Sequence, residues 1–287
     1  MTQYLKLEND LLVVRVAPRG AELRNIKDKF SEREILWSGD PKVWSGVAPI
    51  LFPVVGRLRT GGFRHRGRFY PMPIHGFAAG KKFSLVRHNR VELILELHDC
   101  AQTRAVYPFA FCLQVTFSLE AQVLSVAYQV KNTGSDTMYF SIGSHPAFAL
   151  PGATMEKSEA EVLFDRLERP YCHRIRNGLL SEAGPVDLDG QCLRLHSGTF
   201  ENDAIIFSQV RSSYIQILSG GKQLVVMNTG GLPYLGLWAK PNAPFICVEP
   251  WLTPDDTNVA PENLAQKPGF QALASREIFR CGYQIFC

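Results

Sequence analysis

Strict alternation of apolar and polar residues is the feature that most limits the fold of this 287-residue chain. Every second residue from Phe111 to Leu119 is apolar, and most of the residues between them are polar. The alternation resumes from Leu124 to Val130 after a short polar link. Successive side chains of a strand point to opposite faces, so this pattern predicts antiparallel strands with one buried and one solvated face.

Similar patterns, bounded by glycine- and proline-containing turns, predict further strands at Leu12–Ala17, Leu85–Arg87, Val91–Leu97, Met138–Gly143, Ala204–Phe207, Tyr214–Leu218, Leu224–Asn228 and Ile278–Ile285. Phe245–Val248 is predicted to be a buried strand that ends at Glu249. A short helical turn is expected after Pro261, but no long stretch holds a helical period. The sequence therefore predicts an all-β fold, a large antiparallel β-sandwich with few short helices. Because no linker or shift of composition divides the chain, we expect one domain over residues 1–287.

Charge and composition exclude several classes of protein. Lys and Arg number 31 against 27 acidic residues, and a net charge of +4 is too small for a dedicated nucleic-acid binder. No apolar run reaches the roughly 18 residues that a membrane span needs, and the first residues do not have the order of a secretory signal. The seven cysteines form no CxxC pair, which argues against a zinc knuckle and a disulfide framework. These features predict a cytoplasmic protein with no nucleic-acid or membrane partner.

A basic cluster between Arg57 and Arg68 is the one feature that favours a nucleic-acid contact. Its centre, Arg64 to Arg66, lies in the glycine-bounded stretch from Gly61 to Gly67, which is predicted to form an exposed hairpin. Charged hairpins are commonly just solvated, so we interpret the cluster as a surface feature.

Two histidines occupy positions suited to chemistry. His75 precedes Gly76 after a proline-rich approach, where a tight turn can leave the imidazole accessible. His145 precedes Pro146 at the end of a predicted strand, and the proline keeps it extended. Imidazole can transfer protons near neutral pH, although a histidine at a strand end can equally be structural.

Three charged residues are further candidates. Glu249 follows a strongly apolar run, and burial there would raise its proton affinity towards that of a general base. Asp203 precedes another apolar strand, where it could face the same cleft or form an Asx turn. Arg57 follows Gly56 and could bind ligand hydroxyls or a surface carboxylate.

Together these residues describe two histidines and one or more carboxylates at strand ends, with aromatic residues nearby at Phe77, Phe148, Trp238 and Trp251. Flat apolar surfaces combined with a few convergent polar groups are what a sugar pocket needs.

Four motifs of the chain, in order, resemble those of the aldose 1-epimerases, the galactose mutarotase-like proteins, and in particular their LacX-type branch. The motifs are LFPVVGRL (51–58), HGF (75–77), GSHPAF (143–148) and VEPW (248–251). The resemblance covers nearly the whole chain. It implies a single large β-sandwich whose cleft lies on one concave sheet.

The resemblance also implies a reaction, the interconversion of the α and β anomers of a hexose by opening and closing the hemiacetal ring. It assigns the acid to His145 and the base to Glu249, with His75, Arg57 and Asp203 binding the sugar. Acid–base chemistry of this kind requires neither cofactor nor metal. The partner is then a small sugar, and the protein is expected to be a monomer or a homodimer.

Three alternatives stay open at this level. Related sequences often carry Arg where this chain has Ala79, which removes one anchor for a phosphate and favours a free hexose over a hexose 6-phosphate. A non-catalytic carbohydrate-binding protein on the same fold would need the aromatic residues alone. A metal hydrolase would need a metal site assembled from distant segments, because no HxH or HExxH pair is present.

Overall fold

The protein is described by a computed structural model that covers residues 4–150, 160–166, 171–181, 183–184 and 188–287. The strands before residue 100 are β1 (Leu5–Glu8), β2 (Leu12–Ala17), β3 (Glu22–Asp28), β4 (Ile50–Leu51), β5 (Gly62–His65), β6 (Arg68–Pro71), β7 (Ser84–His88) and β8 (Glu92–His98). The middle strands are β9 (Phe111–Glu120), β10 (Val123–Asn132), β11 (Met138–Phe140), β12 (Gly143–Ser144), β13 (Ala147–Ala149), β14 (Ala160–Phe164), β15 (Tyr171–Arg176), β16 (Leu179–Leu180) and β17 (Cys192–Arg194). The last strands are β18 (Ile205–Ser208), β19 (Tyr214–Ser219), β20 (Lys222–Asn228), β21 (Tyr234–Trp238), β22 (Phe245–Trp251), β23 (Gln271–Leu273) and β24 (Ile278–Phe286).

Two large antiparallel sheets form the body of the protein, which confirms the predicted all-β sandwich. The first sheet has nine strands in the order β17-β14-β19-β20-β24-β10-β9-β8-β7. The second, which we call the site sheet, has the order β16-β15-β18-β21-β22-β12-β4, with β13 also paired to β22. Smaller sheets are formed by β1-β2-β3, by β5-β6 and by β11-β23.

The main apolar core lies between the two large sheets. Phe164 of β14 contacts Phe207 of β18 across this layer, with ring centroids 5.6 Å apart. On β18, Ile205 and Phe207 belong to this core, whereas Ile206 belongs to a second small cluster with Ala204, Trp251 and two other residues. This alternation shows that the second cluster lies on the opposite face of the site sheet.

Helices are short in the described part of the chain. They are the α-helix α1 (Ala101–Val106) and two 3₁₀ turns, at Ala78–Gly80 and Leu264–Gln266. The last turn follows Pro261 as predicted, and the Asn263 side chain accepts a hydrogen bond from the backbone N–H of Ala265 at 3.0 Å. No helix among the described residues has the length and apolar character needed to cross a bilayer.

The structure corrects two of the predicted strands. The stretch predicted as one strand from Met138 to Gly143 is divided, because β11 pairs with β23 while β12 joins the site sheet. Glu249 does not end its strand but lies inside β22, which continues through Pro250 and Trp251. Residues of β21 pair with both Pro250 and Trp251, so tertiary pairing extends the strand beyond its apolar run.

The predicted hairpin is also present, as β5 and β6. Its arginines are largely paired with acids, since Arg64 contacts Glu262 at 2.8 Å and Arg66 contacts Asp136 at 3.1 Å. These ion pairs occupy much of the positive charge that a nucleic acid would have to meet.

Candidate active site

A single cleft on the site sheet brings all five sequence-predicted site residues together. It has a cavity volume of about 430 Å³ and is lined by Arg57, His75, His145, Asp203 and Glu249, among others. The five come from segments spread over almost two hundred residues of sequence.

His145 and Glu249 meet because their strands are hydrogen-bonded neighbours. β12 and β13 both pair with β22, with Gly143 opposite Trp251 and Ala147 opposite Cys247. His145, between these two short strands, therefore lies against the middle of β22. Its Nε2 is 3.4 Å from Oε2 of Glu249.

Burial controls the protonation of this pair. Glu249 is only 1% exposed, and burial raises its pKa well above the usual range, with a weaker opposing effect of the Trp251 indole. Burial also lowers the pKa of His145 to about 3, and the nearby His75 acts in the same direction. Both groups therefore favour the neutral form, and the one proton that they can exchange is on the Glu249 carboxyl group. Moving that proton to His145 leaves the net charge of the pair unchanged.

His75 is held in one tautomer by the backbone. Its φ of +63° places it in the left-handed region, and its Nδ1 accepts a hydrogen bond from the N–H of Gly56 at 3.1 Å. Because a backbone N–H can only donate, Nδ1 is unprotonated and Nε2 carries the hydrogen of the neutral ring. Burial, with a smaller effect of Arg57, lowers the pKa of His75 to about 4. His75 is thus a neutral hydrogen-bond donor at physiological pH.

Arg57 and Asp203 lie at the rim of the cleft, and both are exposed. The Nε of Arg57 packs against the backbone of Gly178, in the turn between β15 and β16. Asp203 has a φ of +72°, and its Oδ1 accepts a hydrogen bond from the N–H of Ala204 at 2.9 Å. This bond reaches only the next residue and so is not the Asx turn that the sequence left as an alternative, whereas the position of Asp203 in the cleft agrees with the other alternative.

Asp255 is a cleft residue that the sequence reasoning missed. Its Oδ1 accepts a hydrogen bond from the backbone N–H of Arg57 at 2.7 Å. Burial raises its pKa from 3.8 to about 6, and the Asp203 carboxylate contributes in the same direction. Asp255 stands in a loop after β22, and a sequence signal was present in the acidic pair that follows the VEPW motif.

Tryptophans form the apolar surface of the cleft. Trp44 stacks on His145 with ring centroids 5.0 Å apart, and Trp238 meets the same imidazole edge-on at 5.6 Å. The Trp251 indole lies flat over two glycines of the neighbouring strands: a Cβ on Gly143 would be 2.6 Å from its ring and one on Gly236 2.7 Å. This bare patch of backbone is what lets Trp251 serve as the floor.

Two aromatic residues expected beside the site lie in the main core instead. Phe148 is 1% exposed, and Phe77 packs against Phe52, Tyr107 and Phe111. Trp44, which the sequence analysis did not select, takes part in the cleft. It lies between β3 and β4, where no periodic pattern indicates which way its side chain points.

Polar atoms without partners are concentrated here. Among the buried side-chain atoms of the described residues, Nδ1 of His145, Oε2 of Glu249 and Nε1 of Trp251 have no well-formed hydrogen bond. Two further such atoms belong to Asn25 and Ser144, but three in one cleft is unusual, since buried polar groups are normally satisfied, and this marks the cleft as a candidate binding site. Cys247 adds a thiol, and its Sγ lies within 4.8 Å of donor atoms of His145 and Glu249, a spacing compatible with a metal ion.

Comparison with known proteins points in one direction. The sequence profile described as aldose 1-epimerase matches residues 3–184 of the chain. The plasmid-encoded protein LacX of Lactococcus lactis subsp. lactis is 33% identical over 261 residues, which cover 86% of this chain and 87% of LacX.

Solved structures share the whole architecture. A galactose mutarotase related enzyme from Lactobacillus acidophilus superposes with a TM-score of 0.91 at 27% identity. The match covers 99% of this chain and 97% of the Lactobacillus acidophilus chain. A galactose mutarotase-like protein from Lactobacillus casei ATCC 334 gives a TM-score of 0.89 at 28% identity, covering 99% of each chain.

Proposed function

Because the chain belongs to the aldose 1-epimerase family, we propose that it interconverts the α and β anomers of a hexose. Family and fold support a carbohydrate isomerase of the mutarotase kind. The observation that carries the proposal for this chain is the buried pair of His145 and Glu249, 3.4 Å apart in a cleft with tryptophan surfaces.

Anomer interconversion moves two protons. A base takes the proton of the C1 hydroxyl while an acid protonates the ring oxygen, the C1–O5 bond breaks, and C1 becomes an aldehyde. Rotation about C1–C2 and the reverse transfers then close the ring on its other face. Both reacting oxygens are bonded to C1, so one acid and one base that lie side by side can serve them together.

In this proposal His145 is the acid and Glu249 the base. Ring opening begins with the proton on His145 and ends with a neutral imidazole and a protonated Glu249. That end state is also the resting state that burial favours, so the pair reaches the starting state by first moving its proton from Glu249 to His145, a transfer that leaves the net charge of the pair unchanged. Closure uses the same two groups in exchanged roles.

The other cleft residues hold the sugar. The Nε2–H of His75 is available to a ring or hydroxyl oxygen, and Arg57 and Asp203 supply a donor and an acceptor at the rim. The Trp251 floor offers a flat apolar surface for the face of the pyranose.

The charges of the cleft favour an unphosphorylated hexose. Besides histidine, the basic side chain among the described lining residues is Arg57, against the carboxyl groups of Asp203, Glu249 and Asp255. Ala79, which offers no charge to a phosphate, lines the cleft, and neither Lys81 nor Lys82 is among the described lining residues.

The test is the rate of anomer equilibration of freshly dissolved α-D-glucose and α-D-galactose, followed by polarimetry or by NMR exchange. The wild type should accelerate equilibration, and Glu249→Gln and His145→Asn should each reduce kcat by about 10²–10⁴-fold. Exposed residues provide the matched controls Glu120→Gln and His88→Asn, which should keep the wild-type rate.

A wild-type protein that binds these sugars but leaves the spontaneous rate unchanged would show a carbohydrate-binding protein and refute the enzymatic proposal. Activity that disappears on exhaustive chelation would instead point to metal-dependent chemistry.

A further inference from the structure

Three potential metal-binding side chains share one face of the nine-stranded sheet, away from the cleft. Glu96 and His98 are two residues apart on β8, so they point to the same side, while Leu95 and Leu97 point into the core. Cys112 of β9 lies directly opposite His98 in the strand register. Strand geometry alone therefore gathers a carboxylate, an imidazole and a thiol.

The distances between the donor atoms approach those of a tetrahedral site. His98 Nε2 is 2.9 Å from Glu96 Oε2 and 3.9 Å from Cys112 Sγ, and all three donor atoms lie within 4.8 Å of one another. Zinc bonds of about 2.0–2.3 Å to nitrogen, oxygen and sulfur place neighbouring ligand atoms roughly 3.3–3.7 Å apart. Small side-chain rotations would bring the three atoms to these distances.

A fourth residue already orients the carboxylate. Gln114, opposite Glu96 on β9, donates a hydrogen bond from its Nε2 to Glu96 Oε1 at 2.8 Å. This leaves Oε2 turned towards His98. Ligands of metal sites are commonly fixed by such outer hydrogen bonds.

Charge and exposure suit a divalent ion with one open position. The Cys112 thiolate and the Glu96 carboxylate together neutralise two positive charges, and His98 adds a neutral nitrogen. Cys112 is buried and His98 exposed, so the ion would rest against the sheet with its outer side open to solvent. Burial and the Glu96 carboxylate raise the pKa of Cys112 to about 11, against a smaller opposing effect of Lys131, which lies opposite it on β10, so binding of the ion must displace the thiol proton.

We propose that Glu96, His98 and Cys112 bind one borderline-soft divalent transition-metal ion, such as Zn²⁺ or Co²⁺. The mixture of sulfur, nitrogen and oxygen donors selects this class over Mg²⁺ or Ca²⁺, which prefer oxygen ligands. The ion links β8 to β9 and stabilises the folded chain by binding it in preference to the unfolded one. The sequence analysis could not find the site because its spacing, Glu-x-His on one strand and Cys on the next, is set by register.

The experiment is a titration of the purified full-length protein with Co²⁺, followed by absorption spectroscopy under reducing conditions. The wild type should bind one equivalent with a near-ultraviolet thiolate-to-cobalt charge-transfer band. Cys112→Ser should abolish that band, and His98→Ala, at an exposed position, should weaken binding by about tenfold or more. Zn²⁺ should raise the melting temperature of the wild type and not that of Cys112→Ser.

Two variants separate this site from other cysteines. Cys100→Ser removes an exposed thiol and should leave the band intact. Glu249→Gln disables the other described cluster of potential ligands, in the cleft, and should also leave it intact. No one-equivalent band in the wild type, a band that survives in Cys112→Ser, wild-type affinity in His98→Ala, or a band lost in Glu249→Gln would overturn the proposal.

Discussion

The Asp255→Asn variant should gain stability over the wild type as the pH rises, although it removes a carboxylate from the cleft. Burial raises the pKa of Asp255 from 3.8 to about 6. This difference corresponds to about 3 kcal/mol, because each pKa unit is worth about 1.36 kcal/mol. Asp255 is partly exposed, and solvent screening reduces the expected effect to about 1–3 kcal/mol.

The direction follows from the protonation of the two states. Well below pH 3.8 the carboxyl group is protonated in both the native and the unfolded chain, so its burial has no ionic cost. Above about pH 6 it is ionised in both, and the native state bears the full cost of a desolvated carboxylate. Asparagine resembles the protonated acid and keeps an oxygen for the Arg57 N–H, so it avoids this cost.

Urea unfolding followed by tryptophan fluorescence at about pH 4.5, 6 and 8 measures the effect. The unfolding free energy of Asp255→Asn minus that of the wild type should increase by about 1–3 kcal/mol from the acidic to the alkaline end. Asp10→Asn, at an exposed turn, is the matched control. A difference that stays constant over this range, or that falls with pH, would refute the reasoning. If Asp255 accepts a sugar hydroxyl, KM of the variant should also rise by about 10–100-fold.

Three further substitutions test separate parts of the cleft. His75→Asn keeps an acceptor for the Gly56 N–H and tolerates the left-handed backbone, but it lacks the donor at Nε2, so KM for the sugar should rise. Because the pKa of His75 is lowered from 6.5 to about 4, the wild type loses stability on acidification through that range. In the variant this loss should be smaller by up to about 3 kcal/mol, as measured by urea unfolding against pH. Gly236→Ala places a Cβ 2.7 Å from the Trp251 ring, so the indole must tilt. The unfolding free energy should therefore fall by about 1–3 kcal/mol, and the near-ultraviolet circular dichroism should change. Trp44→Ala removes the ring stacked on the His145 imidazole, so kcat/KM in the anomer-exchange assay should drop by about 3–10-fold. An unchanged kcat/KM would show that Trp44 has no role in the reaction.

The long strands were predictable because their burial is periodic. β9 and β10 show clean alternation, and their observed bounds differ from the predicted ones by only one or two residues. Two-residue strands such as β4 and β12 carry no such pattern, since pairing with distant partners alone defines them. For the same reason the end of the apolar run at Glu249 looked like the end of β22, whereas pairing with β21 extends the strand through Pro250 and Trp251.

The site was predictable where a motif or an unusual apolar context marked a residue. Glu249 and His145 were selected on such grounds, and the structure places them in one cleft. Trp44 and Asp255 lie in irregular segments, where neither period nor motif fixes the direction of a side chain. The register of neighbouring strands, which the sequence does not display, decides that Phe148 enters the core while Trp251 faces the cleft.

The residues of the candidate site stand on two kinds of segment, paired strands and connecting loops. His145 and Glu249 are set by hydrogen-bonded neighbouring strands, whereas Arg57, Asp203 and Asp255 stand on connecting loops at the rim. Loops accept insertions and exchanges that a paired strand does not. Under the proposed function, changes in these rim loops can therefore alter which sugar is bound while the strand pairing keeps the spacing of His145 and Glu249.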